Sequence, residues 1–290
     1  MGSQALDHEE GKRVSRRTLV FGSLTLAGVV AACGGEESST SGASTTAAAG
    51  ADPAVLLTEA TTCTLSPTTT QGPYYFDADK VRGDIRENRQ GMRLDLALKV
   101  VDSEGCGPLK DVVVEIWHCD AAGLYSGAES QSTGGGGEGM PSGAPPAGLA
   151  PPSGGRPGGG GPPGGGGAGN VADLVPTDDK RYLRGAQVTD AQGLVRFTTV
   201  WPGWYRGRTV HVHAMVHLAN TKALTTQLMF DEALNDEVFT TAPYATHTGR
   251  DTTNGDDTIY NDSMLLTVQQ AGDSYLAAKV LAVDADKDGA

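Results

Sequence analysis

Apolar and polar residues alternate along several short stretches of this chain, and the period is two rather than 3.6. Leu94, Leu96, Leu98 and Val100 are separated by Asp95, Ala97 and Lys99, a spacing that gathers one set of side chains on one face of a strand. The stretches 112–117, 194–200, 210–217, 224–230 and 275–283 are also short, rich in β-branched or aromatic residues, and bounded by Gly, Pro and Asp turns. No long amphipathic helix is evident and strands do not alternate with helices. The pattern therefore predicts an all-β fold, an antiparallel β-sandwich with long loops. One strand alternates something other than water and core. Val210, Val212, Ala214 and Val216 fall on one face, while His211, His213, Met215 and His217 fall on the other. This predicts a half-buried strand with one face packed inward and one given to chemistry.

Shifts in composition divide the rest of the chain. Residues 127–170 hold 19 of the 41 glycines and 8 of the 15 prolines. Such a stretch loses backbone entropy on ordering and offers little apolar surface in return, so a disordered insertion is expected, read as a passive spacer in preference to a flap. Residues 63–126 and 171–284 together make roughly 180 residues, enough for one core. Residues 34–60, rich in Ser, Thr, Ala and Gly, read as a disordered tether. Ahead of them, Ser15-Arg-Arg-Thr-Leu-Val20 leads into an apolar run that ends in Val30-Ala-Ala-Cys33. The run falls short of the roughly 20 residues a bilayer requires, and its basic flank marks it as an export address. The expected organisation is a twin-arginine lipoprotein signal over 1–33, a tether over 34–60, and one domain over 61–284 interrupted by 127–170. Cys33 would be the lipidated first residue of the mature protein, anchoring it at the outer face of a bacterial cell membrane. The formal charge of −13 comes without any basic cluster to neutralise phosphates, which excludes nucleic acid as a partner.

Cys63, Cys106 and Cys119 lie outside the signal. In an oxidising compartment the simplest outcome is one disulfide and one free thiol. Cys106 and Cys119 sit at opposite ends of a strand, beyond the Cα limit of about 7 Å. Cys63 is thus one partner, with Cys106 or Cys119 as the other. Cys119 is read as structural rather than as a metal ligand or nucleophile.

The histidine face carries the candidate chemistry. His211 and His213 project the same way with Cα atoms about 7 Å apart, so both rings can reach one metal. Imidazole alone suits zinc, copper, iron or nickel. Two tyrosines narrow the choice: Tyr205, six residues before His211, closes Trp201-Pro-Gly-Trp-Tyr205, and Tyr125 closes Trp117-His-Cys-Asp-Ala-Ala-Gly-Leu-Tyr125. A phenol with a pKa of about 10 is held ionised at neutral pH by a hard trivalent cation such as Fe(III). Two phenolates and two imidazoles leave iron an open position for a bidentate oxygen ligand. His217 shares the face but lies about 13 Å further along the strand, too far for the same ion. His118 reads as structural or as a neighbour of the site, and His247 as a loop residue.

These segments resemble the intradiol ring-cleavage dioxygenases. Glu115-Ile-Trp-His-Cys-Asp-Ala-Ala-Gly-Leu-Tyr125 resembles that family's first-tyrosine segment, and Thr189-Asp-Ala-Gln-Gly-Leu-Val-Arg-Phe-Thr-Thr-Val-Trp-Pro-Gly-Trp-Tyr205 its second. The likeness runs over about 63–283 and is greatest to exported members. It implies a non-heme Fe(III) cofactor held by Tyr125, Tyr205, His211 and His213, with catechol-type diols and O2 as substrates and a muconate-type diacid as product. It also implies that Arg208 and Gln227 pair beside the bound substrate. Thr70-Gln-Gly-Pro-Tyr-Tyr75 and Arg82-Gly-Asp-Ile85 resemble the segment lining the site mouth, which makes Tyr75 a pocket residue. Cytosolic members have a longer loop after the second tyrosine, with an aromatic residue where this chain has Gly207; a more open pocket is expected. Their N-terminal dimerising helices have no counterpart, so a monomer is expected. Two other readings are a non-catalytic β-sandwich binding or adhesion module with surface histidines, and a zinc or copper site on the same scaffold. Neither zinc nor copper calls for two phenolates.

Overall fold

The alternating leucines of 94–100 sit within strand β1 (Arg93–Asp102), the first of eight strands among the described residues. Next come β2 (Val113–Trp117), β3 (Arg184–Val188), β4 (Leu194–Val200), β5 (His211–Leu218), β6 (Thr221–Met229), β7 (Thr267–Ala271) and β8 (Ser274–Val283). A four-residue helix α1 (Glu129–Ser132) follows Tyr125, and helix α2 (Glu232–Phe239) follows β6. The computed structural model describes residues 50–57, 63–132, 172–219 and 221–286. The export signal, Cys33, most of the tether and residues 133–170 of the expected insertion lie outside them.

Two four-stranded sheets, ordered β4-β1-β8-β7 and β3-β2-β5-β6, form the sandwich. The second sheet is antiparallel throughout. In the first, β1 pairs with β8 in parallel, from Arg93 opposite Ser274 to Asp102 opposite Val283. That departs from the expected all-antiparallel pairing. A period of two specifies which face a residue occupies and says nothing about the direction of the neighbouring strand.

The inner faces meet as the alternation predicts. Leu94, Leu96, Leu98 and Val100 of one sheet and Val114, Ile116, Val212, Ala214 and Val216 of the other are all 0 % exposed and belong to one core cluster. Each fully buried Leu, Ile or Val stabilises the fold by about 1.5–3 kcal/mol. The expectation of a half-buried β5 needs correcting: His211, His213, Met215 and His217 are also buried. Loops close over this second face, where Tyr75, Trp117, Cys119, Tyr125, Ala128 and Met215 form a separate apolar cluster. The chemistry face is therefore an interior lying between a sheet and its covering loops.

Cys63 and Cys106 form the disulfide, with Cα atoms 5.2 Å apart and a sequence separation of 43. A closed loop of that length constrains the unfolded chain by about 4 kcal/mol in the chain-entropy account. Cys119 is the free, buried thiol. Its Sγ donates to the Gly203 carbonyl at 3.4 Å, and burial pushes its pKa up, so it is an inert packing residue.

Three elements lack a clear pattern in the sequence. Strand β3 is interrupted by Gly185, where a Cβ would lie 2.7 Å from Ile85 Cγ2; the close passage of the 81–86 segment removes the side chain that alternation would have shown. Strand β7 is a short edge strand with a mixed exposure pattern. Helix α2 has eight residues, is capped by the Asp231 side chain accepting from the Ala233 amide, and buries Asn235 and Val238. Among the described residues no helix is long and apolar enough to cross a membrane.

Candidate metal centre

One transverse row of the second sheet organises the centre. Arg184 on β3 pairs with Trp117 on β2, Trp117 with His213 on β5, and His213 with Gln227 on β6. Directly paired residues present their side chains on the same face, so the four stand side by side. The Trp117 and His213 rings are stacked, with centroids 4.9 Å apart and planes 2° apart. Gly72 adopts φ +74°, and a Cβ there would lie 3.2 Å from His213 Cε1. That close approach is the physical reason for glycine in Thr70-Gln-Gly-Pro.

Three donor atoms converge above the row. Tyr205 Oη lies 3.1 Å from His211 Nε2, which lies 3.2 Å from His213 Nε2. His211 Nδ1 is 2.6 Å from the Thr209 carbonyl. A carbonyl only accepts, so Nδ1 carries the proton and His211 Nε2 presents a lone pair to the convergence point. The Tyr125 ring lies 5.8 Å from that of Tyr205 and 6.4 Å from that of His213. Its hydroxyl is buried without a hydrogen-bond partner.

Burial governs the protonation states. It pushes the Tyr125 phenol well above its ordinary value, with the neighbouring Tyr205 adding to the effect. Tyr205 is raised as well, again by burial, with Arg208 opposing. Burial lowers His211 to about 3, assisted by the Arg208 charge, and holds His213 well below its usual value. The chain alone thus presents two neutral imidazoles and two protonated phenols. A partnerless buried hydroxyl is costly in a native interior. The set fits a hard cation, which would satisfy the Tyr125 oxygen and favour both phenolates.

Arg208 is no surface cation: its side chain is 14 % exposed, and its Nε lies 2.9 Å from the buried Asp257 carboxylate. Its guanidinium also donates to Gln227 Oε1, so the expected pairing is present. Gln227 is fully buried and its Nε2 lies 3.5 Å from the Thr70 carbonyl. Gly207 forms the turn between Tyr205 and Arg208 at φ +78°, and its amide donates to Asp251 Oδ1 at 3.1 Å.

The reading of Tyr75 as a pocket residue is corrected. Its ring packs on Trp117 at 4.7 Å and its hydroxyl donates to Glu115 at 3.1 Å, one ring behind the donors. Tyr74 faces them instead, stacked on Tyr125 at 4.7 Å and edge-on to Tyr205 at 6.4 Å. Successive side chains diverge where the chain leaves the turn at Pro73 and Tyr74, and the motif alone does not say which ring turns inward. His217 contacts Glu115, 3.4 Å away. His118 bridges the Cys119 carbonyl and Thr199 Oγ1, each at 2.7 Å, and burial lowers it to about 4. His247 stacks on Trp204 at 4.1 Å. Tyr74, Arg184 and Asp257 are the neighbours that sequence reasoning missed.

No protein-family model and no curated protein matches the chain. Solved structures do. An intradiol ring-cleavage dioxygenase from Tetranychus urticae is 28% identical, with a TM-score of 0.61 over 77% of this chain and 96% of that one. The structure of the dioxygenase Tetur07g02040 is likewise 28% identical, with a TM-score of 0.62 over the same shares. The match spans the sandwich, and the sandwich brings together the tyrosines, histidines, arginine and glutamine that the motifs single out. In fold and in sequence the chain is similar to the intradiol ring-cleavage dioxygenases.

Proposed function

We propose that the chain holds one non-heme ferric ion through Tyr125, Tyr205, His211 and His213 and cleaves catechol-type diols between their two hydroxylated carbons. Both atoms of O2 enter the product, a muconate-type diacid, as the ring carbon–carbon bond breaks. The observation that carries this reading is the convergence of Tyr205 Oη, His211 Nε2 and His213 Nε2 within 3.1–3.2 Å contacts, beside the partnerless Tyr125 hydroxyl. Bound Fe(III) would supply a Lewis acid that takes both catechol oxygens and makes the diol ring reactive toward O2.

The chain's own residues do the rest. Tyr205 is partly exposed whereas Tyr125 is fully buried, so Tyr205 is the phenolic oxygen suited to take a proton from an arriving catechol. Arg208 and Gln227 stabilise the negative charge that develops on the substrate ring and on its ketonised oxygen, as preorganised donors do in an oxyanion hole. Asp257 holds the guanidinium in place, and the Tyr74 ring forms an aromatic wall. Burial of His211 and His213 argues against an adhesion module displaying them on its surface. Export through the twin-arginine signal and anchoring at Cys33 belong to the same proposal; sedimentation of the full chain with membranes is the expected result, and a fully soluble chain would contradict that part.

The test is product analysis. Iron-loaded protein supplied with catechol under isotopically heavy O2 is expected to yield a diacid carrying both heavy oxygen atoms by mass spectrometry. Cleavage beside the diol rather than within it, or no cleavage, would overturn the assignment.

A further inference from the structure

Arg184 ends the row that carries His213 and Gln227, and it is 2 % exposed. Among the described residues its guanidinium meets no carboxylate. Nε donates to Ser126 Oγ at 3.0 Å, and one terminal nitrogen donates to the Tyr74 carbonyl at 2.7 Å and the Ser126 carbonyl at 3.0 Å. The other terminal nitrogen is buried without a partner. The guanidinium lies 4.1 Å above the Phe76 ring and 6.0 Å from the Tyr125 ring. A buried cation tied only to neutral groups is a poor source of stability, and an apolar side chain of similar size would serve a plain core better. What the fork provides is placement.

The same nitrogen grips the backbone of Tyr74 and of Ser126, the residue after Tyr125. These are the two chain segments whose rings stack at 4.7 Å beside the donor atoms. On the other side the Tyr125 amide donates to Ser132 Oγ at 2.9 Å, so the backbone is held before and after the ring. Ser126 Oγ in turn donates to the Tyr182 carbonyl at 2.7 Å, which ties the fork to the chain just ahead of β3. We infer that Arg184 is a positioning residue for Tyr125: its fork sets the Tyr74–Tyr125 stack and so brings the Tyr125 hydroxyl to Tyr205, His211 and His213. Lysine cannot replace it, because an ammonium is a point charge without a planar fork.

The first arm of the test needs no metal. Metal-free wild type, Arg184→Lys and Arg184→Met are treated with tetranitromethane, and nitration of each tyrosine is followed by peptide mass spectrometry. Tyr125 is expected to react at least about fivefold faster in both variants, through local opening of its stack, while Tyr275, in the core between the sheets, keeps its wild-type rate. Equal protection of Tyr125 in all three proteins would overturn the inference. So would equal gains at Tyr125 and Tyr275 in the milder Arg184→Lys variant, since that pattern marks a general stabiliser; this variant also carries the test if Arg184→Met does not fold. The second arm rests on the iron reading. In iron-loaded Arg184→Lys the tyrosinate-to-iron absorption is expected to fall by about half, one of two phenolate donors being displaced, and an unchanged band would count against the inference. A wild type with no such band would remove the iron reading and leave the nitration result standing by itself.

Discussion

Replacing His213 with alanine is expected to abolish stable iron retention and to lower ring cleavage by about 10³-fold or more, because an open ligand set no longer holds the Lewis acid in the site. The loss should be one of chemistry rather than of folding. His213 Nδ1 has no hydrogen-bond partner, so truncation breaks no bond at that atom. What is lost is packing against Trp117 and the Nε2 contact with His211, at a cost of about 1–3 kcal/mol. His217→Ala is the comparison that gives the result its meaning. His217 lies on the same face of the same strand and is equally buried, yet it contacts Glu115 and not the donor cluster. Metal analysis and initial rates should separate the two variants cleanly. Loss of iron in both, or in neither, would show that the convergence at His211 and His213 is not the binding site.

Arg208→Ala is expected to damage stability and turnover together, for separable reasons. The Asp257 side chain is 1 % exposed, and its Oδ2 also accepts from the Thr209 amide at 2.8 Å. Removing the guanidinium leaves a buried carboxylate without its countercharge, a change that costs about 3–5 kcal/mol. Turnover should fall by about 10²–10³-fold from the lost donor beside the substrate. Adding Asp257→Asn to Arg208→Ala should restore most of the stability and none of the turnover. Recovery of both would place Arg208 in a structural role only. The pair also sets a pH dependence. Burial raises the Asp257 carboxyl, but the charge of Arg208 and the Ile259 and Thr209 amides outweigh it and hold the folded-state pKa below the ordinary value. Its contribution to stability is therefore fully present above about pH 4 and is lost as the pH falls through the lower folded-state value. Arg208→Ala should flatten that acid limb of the unfolding curve.

How much of this was legible beforehand depended on whether the information was local. His211 and His213 were, because two side chains on one strand share a face by geometry alone. The leucines of β1 and the valines of β5 declared the core for the same reason. Tyr125 and Tyr205 required motif resemblance, since nothing in their spacing says that residues from two distant segments meet. Tyr74 and Tyr75 were indistinguishable by composition, and the choice between them was made by a turn. The parallel pairing of β1 with β8 and the covering of the outer face of β5 are tertiary facts, decided by which distant segment lies alongside. Arg184 and Asp257 belong to that class as well. Arg184 follows Asp178, Asp179, Lys180 and Arg181, and Asp257 follows Asp256; nothing local singles either out from those charges, and each matters because of a partner that the fold brings from elsewhere in the chain.

The visible spectrum of the iron-loaded protein, recorded before and after anaerobic addition of catechol, tests the central claim most directly. The site described here predicts a broad tyrosinate-to-iron band that moves to longer wavelength when catechol binds, and that weakens in Tyr205→Phe. A protein that stays colourless after iron loading, or a band indifferent to both catechol and Tyr205→Phe, would contradict it.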